Sequence, residues 1–148
     1  MIVGDESLVG RFKSELELFF GINLPDLKIC VLTKDEFSIF RTNDWSVGSF
    51  VTSLNTVFIM NESESGYNHE EWLKIIKHEL VHLFYAHKYK TMTPSWLFEG
   101  LACFLANQEI RIIDFTIQDL MNSDFDQRKD KYSLAYSAVH SLLRGKND

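Results

Sequence analysis

The chain has 148 residues, 45% of them hydrophobic and 14% aromatic, with a formal net charge of -6. That is enough chain for one domain, spanning 1–148, with a sizeable core, and too many large apolar side chains for a disordered one. The absence of a Lys/Arg run on any helix face disfavours nucleic acid or an anionic membrane as partner, and no apolar stretch reaches the length of a bilayer span.

The N-terminus, "MIVGDESLVGRF", lacks the charged and apolar regions of a secretory signal, so the expected location is the cytoplasm. "ESLVGRFKSELELFF" carries apolar residues at Leu8, Val9, Phe12, Leu16, Leu18, Phe19 and Phe20, which predicts an amphipathic helix ended by Gly21. "LKICVLT" reads as a short strand after the Pro25-Asp26 turn. Thr33 followed by Glu36 is the signature of a capping box, which predicts a short helix over "KDEFSIFR". "VGSFVTSLNTVFIM" reads as two short strands around a turn near Leu54-Asn55. From Asn68 onward the pattern is helical throughout. Strands early and helices late predict an α+β fold, with helices packed on one face of a small, mostly antiparallel sheet. Cys30 and Cys103 both sit in apolar surroundings, which favours buried thiols in a reducing compartment over a disulfide.

The chemistry gathers in "IIKHELVHLFYAHKYKTMTPSWLFEGLA", Ile75 to Ala102. Asn68 is an N-cap, Glu70 and Glu71 fill the first turn, and Trp72, Leu73, Ile76, Leu80 and Leu83 form one apolar stripe. On that helix His78 and His82 lie about 40° apart, so both imidazoles can reach one ion. Glu79 projects about 60° from His82, too far round to ligate easily but near enough to act on a water at that ion. Two ligands and a base on one helical turn are what the HExxH spacing provides. The bland alternative is a pair of surface histidines bonded to Glu71 or Glu79.

A third ligand is needed for a catalytic zinc. Thr93-Pro94 reads as the N-cap and first position of a second helix, "PSWLFEGLACFLA", apolar all round and so buried. Glu99 is its one charged group, and a buried carboxylate needs a cation: either a metal, or an ion pair with Lys74 or Lys77. Trp96 reads as packing, and Gly100 as permitting a close helix approach. His87, nine residues after His78, points to the opposite side of its helix, and His69 at the helix start reads as exposed. "NESESG" and "DFDQRKDK" read as solvated segments, the latter lacking the Gly and terminal Glu of a calcium loop.

HExxH, a short turn and "PSWLFEGLA" together resemble the gluzincin metallopeptidases, in particular the peptidase MA-like group. The resemblance implies a helical zincin-like core against the sheet, zinc as cofactor, His78, His82 and Glu99 as metal ligands, Glu79 as general base, and a peptide or protein as substrate. It extends more weakly to the last helix, "YSLAYSAVHSLL", where Tyr136 is the implied partner of the reaction's oxyanion, with Tyr132 and His140 on the same face. Thr56–Met60 resembles the edge strand along which such enzymes align an extended peptide. Two departures stand out. Sixteen residues separate His82 from Glu99, fewer than in many gluzincin aminopeptidases, and Cys103 occupies the place where thermolysin-like chains have an Asp. No residue in the sequence is evident as the acceptor that would orient a ligating histidine. The reading is a zinc peptidase. Its alternative is a zinc-binding interaction module that turns over nothing, against which the presence of Glu79 argues.

Overall fold

The computed structural model of the chain describes residues 6–41, 43 and 46–144, so "MIVGD", read above for a leader, lies outside them. Helix α1 spans Glu6–Phe20, and it ends at Gly21, whose φ of 70° lies in the left-handed region. Strand β1 (Lys28–Leu32) leads into α2 (Lys34–Phe37), where Thr33 and Glu36 form the full capping box. Strands β2 (Gly48–Val51) and β3 (Thr56–Met60) flank a 3-10 turn closed by Asn55 at φ 52°. After α3 (Glu62–Ser65) come α4 (His69–Tyr89), α5 (Ser95–Leu105), α6 (Ile117–Met121) and α7 (Lys131–Arg144).

The fold is α+β, but its sheet is mixed rather than mostly antiparallel. The strand order is β1-β3-β2, with β1 parallel and β2 antiparallel to β3. Thr56–Met60 is therefore the central strand, and the edge beside the helices is β2. The reason is burial: Val57, Ile59 and Met60 are fully enclosed, whereas every residue of β2 is half-buried. By the two-residue alternation Phe58 points opposite to Val57 and Ile59, and Phe40 stacks on it at 4.6 Å.

Helix α4 is the axis of the molecule. Trp72, Ile76, Leu80 and Leu83 bury their stripe as the pattern predicts, and the Trp72 indole N–H donates to the Met60 carbonyl at 2.8 Å, tying α4 to β3. Leu16 and Phe20 of α1 pack into the same core, while Leu18 faces solvent. Helix α5 packs against α4 and against α7, where a Cβ on Gly100 would meet the Ala135 carbonyl oxygen at 2.4 Å. That close approach is the one expected of Gly100.

Two boundaries differ from the sequence reading. Helix α5 starts one residue later than predicted, with Pro94 rather than Thr93 at the N-cap and the Leu97 and Phe98 N–H groups donating to the Pro94 carbonyl. The chain is also not helical throughout after Asn68, since residues 108–116 form neither helix nor strand. Neither cysteine is in a disulfide. Among the described residues, no helix is long and apolar enough to cross a membrane.

Candidate metal centre

His78, Glu79 and His82 occupy consecutive faces of α4 at its crossing with α5 and β2. Their ligand atoms lie within 4.8 Å of one another. The His78 and His82 rings are 4.6 Å apart and perpendicular, and His82 stacks on Phe98 of α5 at 3.9 Å. Glu99, one turn into α5, points its carboxylate between them: Oε2 is 3.7 Å from His78 Nε2 and Oε1 is 3.4 Å from His82 Nε2. The structure thus brings together the three residues read from the HExxH spacing and Glu99, read from its place as a lone charge in an apolar helix. Lys77, one of the two alternative partners for Glu99, is instead paired with Glu15 of α1.

Whether these donors suit a metal can be tested on their own atoms. Glu99 Oε2 is buried and among the described residues has no hydrogen-bond partner, a rare condition for a carboxylate oxygen. Its neighbours hold it ionised: burial would raise its pKa, but the two imidazoles pull it well below the usual carboxylate range. Two ligands each 2.0–2.1 Å from one ion at a tetrahedral angle sit about 3.4 Å apart, close to the separations found here. Two neutral nitrogens and one carboxylate are a donor set that zinc accepts. The residues fit the ion.

Glu79 is 8% exposed, and its side chain is pinned by β2, because a Cβ on Gly48 would lie 2.9 Å from Glu79 Cγ. Glycine at 48 is what lets the edge strand run this close to the HExxH turn. The register directs the main-chain groups of Gly48 and Phe50 away from β3. Met60 N–H donates to the Val47 carbonyl at 2.8 Å, which makes Gly48 and Ile59 a non-hydrogen-bonded pair. Both residues line the cleft that opens over the histidines.

That cleft has a volume of about 510 Å³, and its wall includes Phe50, Phe98, Glu99, Cys103, Gln108, Lys131 and Tyr132. It adjoins a second hollow of about 460 Å³, sharing Tyr67, Ile75, Gln108 and Ile110 and lined further by Glu70, Glu71 and Glu109. Of the two tyrosines on α7, Tyr132 faces the cleft and Tyr136 does not. Tyr136 lies against Phe104 and His140 at 6.1 and 5.9 Å and is not among the residues lining the cleft. Burial, then the nearby Glu99 carboxylate, push the Tyr132 hydroxyl far above its ordinary pKa, so it keeps its proton.

Gln108 escaped the sequence reading altogether. Its side-chain oxygen accepts from His78 Nδ1 at 2.7 Å, while the Cys103 sulfur is 3.9 Å from the same nitrogen. In the metal-free chain burial would lower the His78 pKa, but Cys103 and Glu99 raise it well above the ordinary value. His69 lies at the exposed start of α4, bonded to Glu62, and His87 is not among the residues lining the cleft. Comparisons with protein families, with curated proteins and with solved structures found no match.

Proposed function

We propose that the chain is a zinc-dependent metallopeptidase of gluzincin type, hydrolysing peptide bonds within an extended peptide or protein segment. The observation that carries this reading is the convergence of His78, His82 and Glu99 on one point, with Glu79 beside them on the wall of an open cleft. A zinc ion held by those three residues supplies a Lewis acid and lowers the pKa of water towards about 7.

The remaining work falls to the chain. The Glu79 carboxylate takes a proton from water and returns it to the departing amide nitrogen, a transfer worth roughly 10²–10⁴ in rate. Tyr132, rather than Tyr136, donates a hydrogen bond from its hydroxyl to the developing oxyanion, since it is the tyrosine of α7 that lines the cleft. The outward main-chain groups of Gly48 and Phe50 bind the substrate backbone as an added strand. Phe50 and Phe98 line the cleft and pack their rings against His82. The continuation of the cleft into the second hollow favours a substrate of several residues over a single amino acid.

The test is zinc content by elemental analysis, followed by cleavage of a broad peptide library. The wild type is expected to carry about one zinc per chain, Glu99→Ala much less, and Glu79→Gln the wild-type amount with cleavage abolished. A zinc-loaded wild type as inert as Glu79→Gln makes the chain a non-catalytic zinc-binding module. A wild type that takes up no zinc removes the reading entirely.

A further inference from the structure

An imidazole ligand must present one nitrogen to the ion and dispose of the other. His82 and His78 do this differently. The His82 Nδ1 atom is buried with no hydrogen-bond partner among the described residues, and its ring is held by stacking on Phe98 at an interplanar angle of 17°. His78 stands edge-on to His82, so a hydrogen bond is left to set its rotation. Two groups approach its Nδ1, and they are unequal. The Cys103 sulfur is a weak acceptor at 3.9 Å, whereas the Gln108 amide oxygen is a full acceptor at 2.7 Å.

We propose that Gln108 is the positioning residue of the metal centre: its amide oxygen holds the His78 ring with Nδ1–H donated away and Nε2 turned towards Glu99. The delivery of Gln108 follows from the way α5 ends. Ala106 is the C-cap, and Asn107 takes the left-handed conformation at φ 56°. The Asn107 N–H donates to the Phe104 carbonyl and the Gln108 N–H to the Cys103 carbonyl, each at 3.1 Å. Those two bonds together are the Schellman motif, in which the second residue past the cap folds back over the last turn. Gln108 is that residue. Its side chain is thereby thrown across to α4, thirty positions away in sequence from the ring it meets. Helix α5 thus supplies two things as one rigid piece: the carboxylate of Glu99, and the amide that aims the histidine opposite it. Because an amide is neutral, this is done without placing a further negative charge beside Glu79 and Glu99.

The assignment rests on the metallopeptidase reading for its consequence, zinc affinity, but not for the hydrogen bond itself, and the test separates the two. Zinc affinity is measured by competition with a chromophoric chelator for wild type, Gln108→Ala and Gln108→Glu. Removing an orienting partner costs about 10–100-fold in metal affinity, so that loss is expected for Gln108→Ala. Gln108→Glu, which keeps an acceptor oxygen at the same reach, is expected to recover to within about tenfold of the wild type. In parallel, ¹H–¹⁵N spectra of the histidine rings are recorded on the metal-free protein. A downfield, slowly exchanging Nδ1–H of His78 is expected in the wild type and absent from Gln108→Ala. If Gln108→Ala does not fold, Gln108→Leu takes its place. An Ala or Leu variant that binds zinc like the wild type, or keeps the protected Nδ1–H, overturns the proposal. If the wild type takes up no zinc, the peptidase reading falls. The ring spectrum still decides Gln108: a protected N–H lost on substitution upholds it, and no protected N–H in the wild type overturns it.

Discussion

Gly100 sits one residue beyond Glu99, at the closest approach of α5 and α7, and replacing it with alanine tests that packing directly. A Cβ there would lie 2.4 Å from the Ala135 carbonyl oxygen and 2.5 Å from Val139 Cγ2. Ordinary contact begins near 3.4 Å, so the two helices must part by about 1 Å. One obstacle is backbone and cannot swing aside, which places the cost at the upper end of overpacking, about 3 kcal/mol. Alanine gives back about 1 kcal/mol through its better helix propensity. The net loss is about 2 kcal/mol, or a fall in Tm of about 4–8 °C for a chain of this size. Gly10, inside α1, is the control, since among the described residues nothing lies within 4 Å of its added Cβ. Gly10→Ala should therefore raise stability by about 0.5–1 kcal/mol. Both variants are compared by thermal denaturation of the metal-free protein. A Gly100→Ala protein as stable as Gly10→Ala would refute the close crossing, and with it the placement of Glu99 that depends on α5.

Gly48→Ala pushes Glu79 Cγ away by about half an ångström from a 2.9 Å contact, and misplacement on that scale is expected to lower peptide hydrolysis about tenfold. Zinc content, measured alongside, should not change; an unaltered rate would show that Gly48 does not position the base. Tyr132→Phe should lower kcat about a hundredfold with KM and zinc little changed, while Tyr136→Phe should match the wild type; the opposite ranking would return the oxyanion role to Tyr136. In the metal-free protein the raised His78 pKa contributes stability that is complete below about 6.5 and lost as pH rises through the folded value. The depressed Glu99 pKa contributes stability that is complete above about 4.5 and lost as pH falls through its own. Tm should therefore be highest between those limits, and a Tm still rising above pH 8 would contradict the pairing. Zinc loading competes with the proton that the neighbours of His78 favour, so calorimetric enthalpies should differ between buffers of different ionisation enthalpy, and identical enthalpies would contradict it.

What the sequence disclosed about this site was what helix periodicity carries. His78, Glu79 and His82 share a turn of α4 whatever the rest of the chain does, and Glu99 stood out because a charge in an apolar helix needs an explanation. The caps at Thr33 and Asn68 are equally local, a side chain and an N–H three residues on. Strand order is not local. β1 and β3 pair in parallel across the whole of α2 and β2, so the alternation of Thr56–Met60 could not say whether it lay at the edge or the centre. The unbroken apolar run of Val57, Phe58, Ile59 and Met60 was the weak signal, since a central strand packs on both faces. Tyr132 and Tyr136 stand four apart, and spacing alone cannot rank them. What separates them is the packing of α7, where Leu134, Ala135, Ala138 and Val139 are buried: Tyr136 lies against Phe104, and Tyr132, in the first turn, reaches the cleft. Gln108 was hidden by the assumption that the helical pattern continued. Yet Asn107 directly follows the apolar run that ends at Ala106, and asparagine there is a stop signal with a geometry attached. Taken as the left-handed cap it is, Asn107 would have ended the helix and placed Gln108 back over its last turn, beside Cys103. The missing orienting residue was therefore legible as a cap before it was legible as a contact.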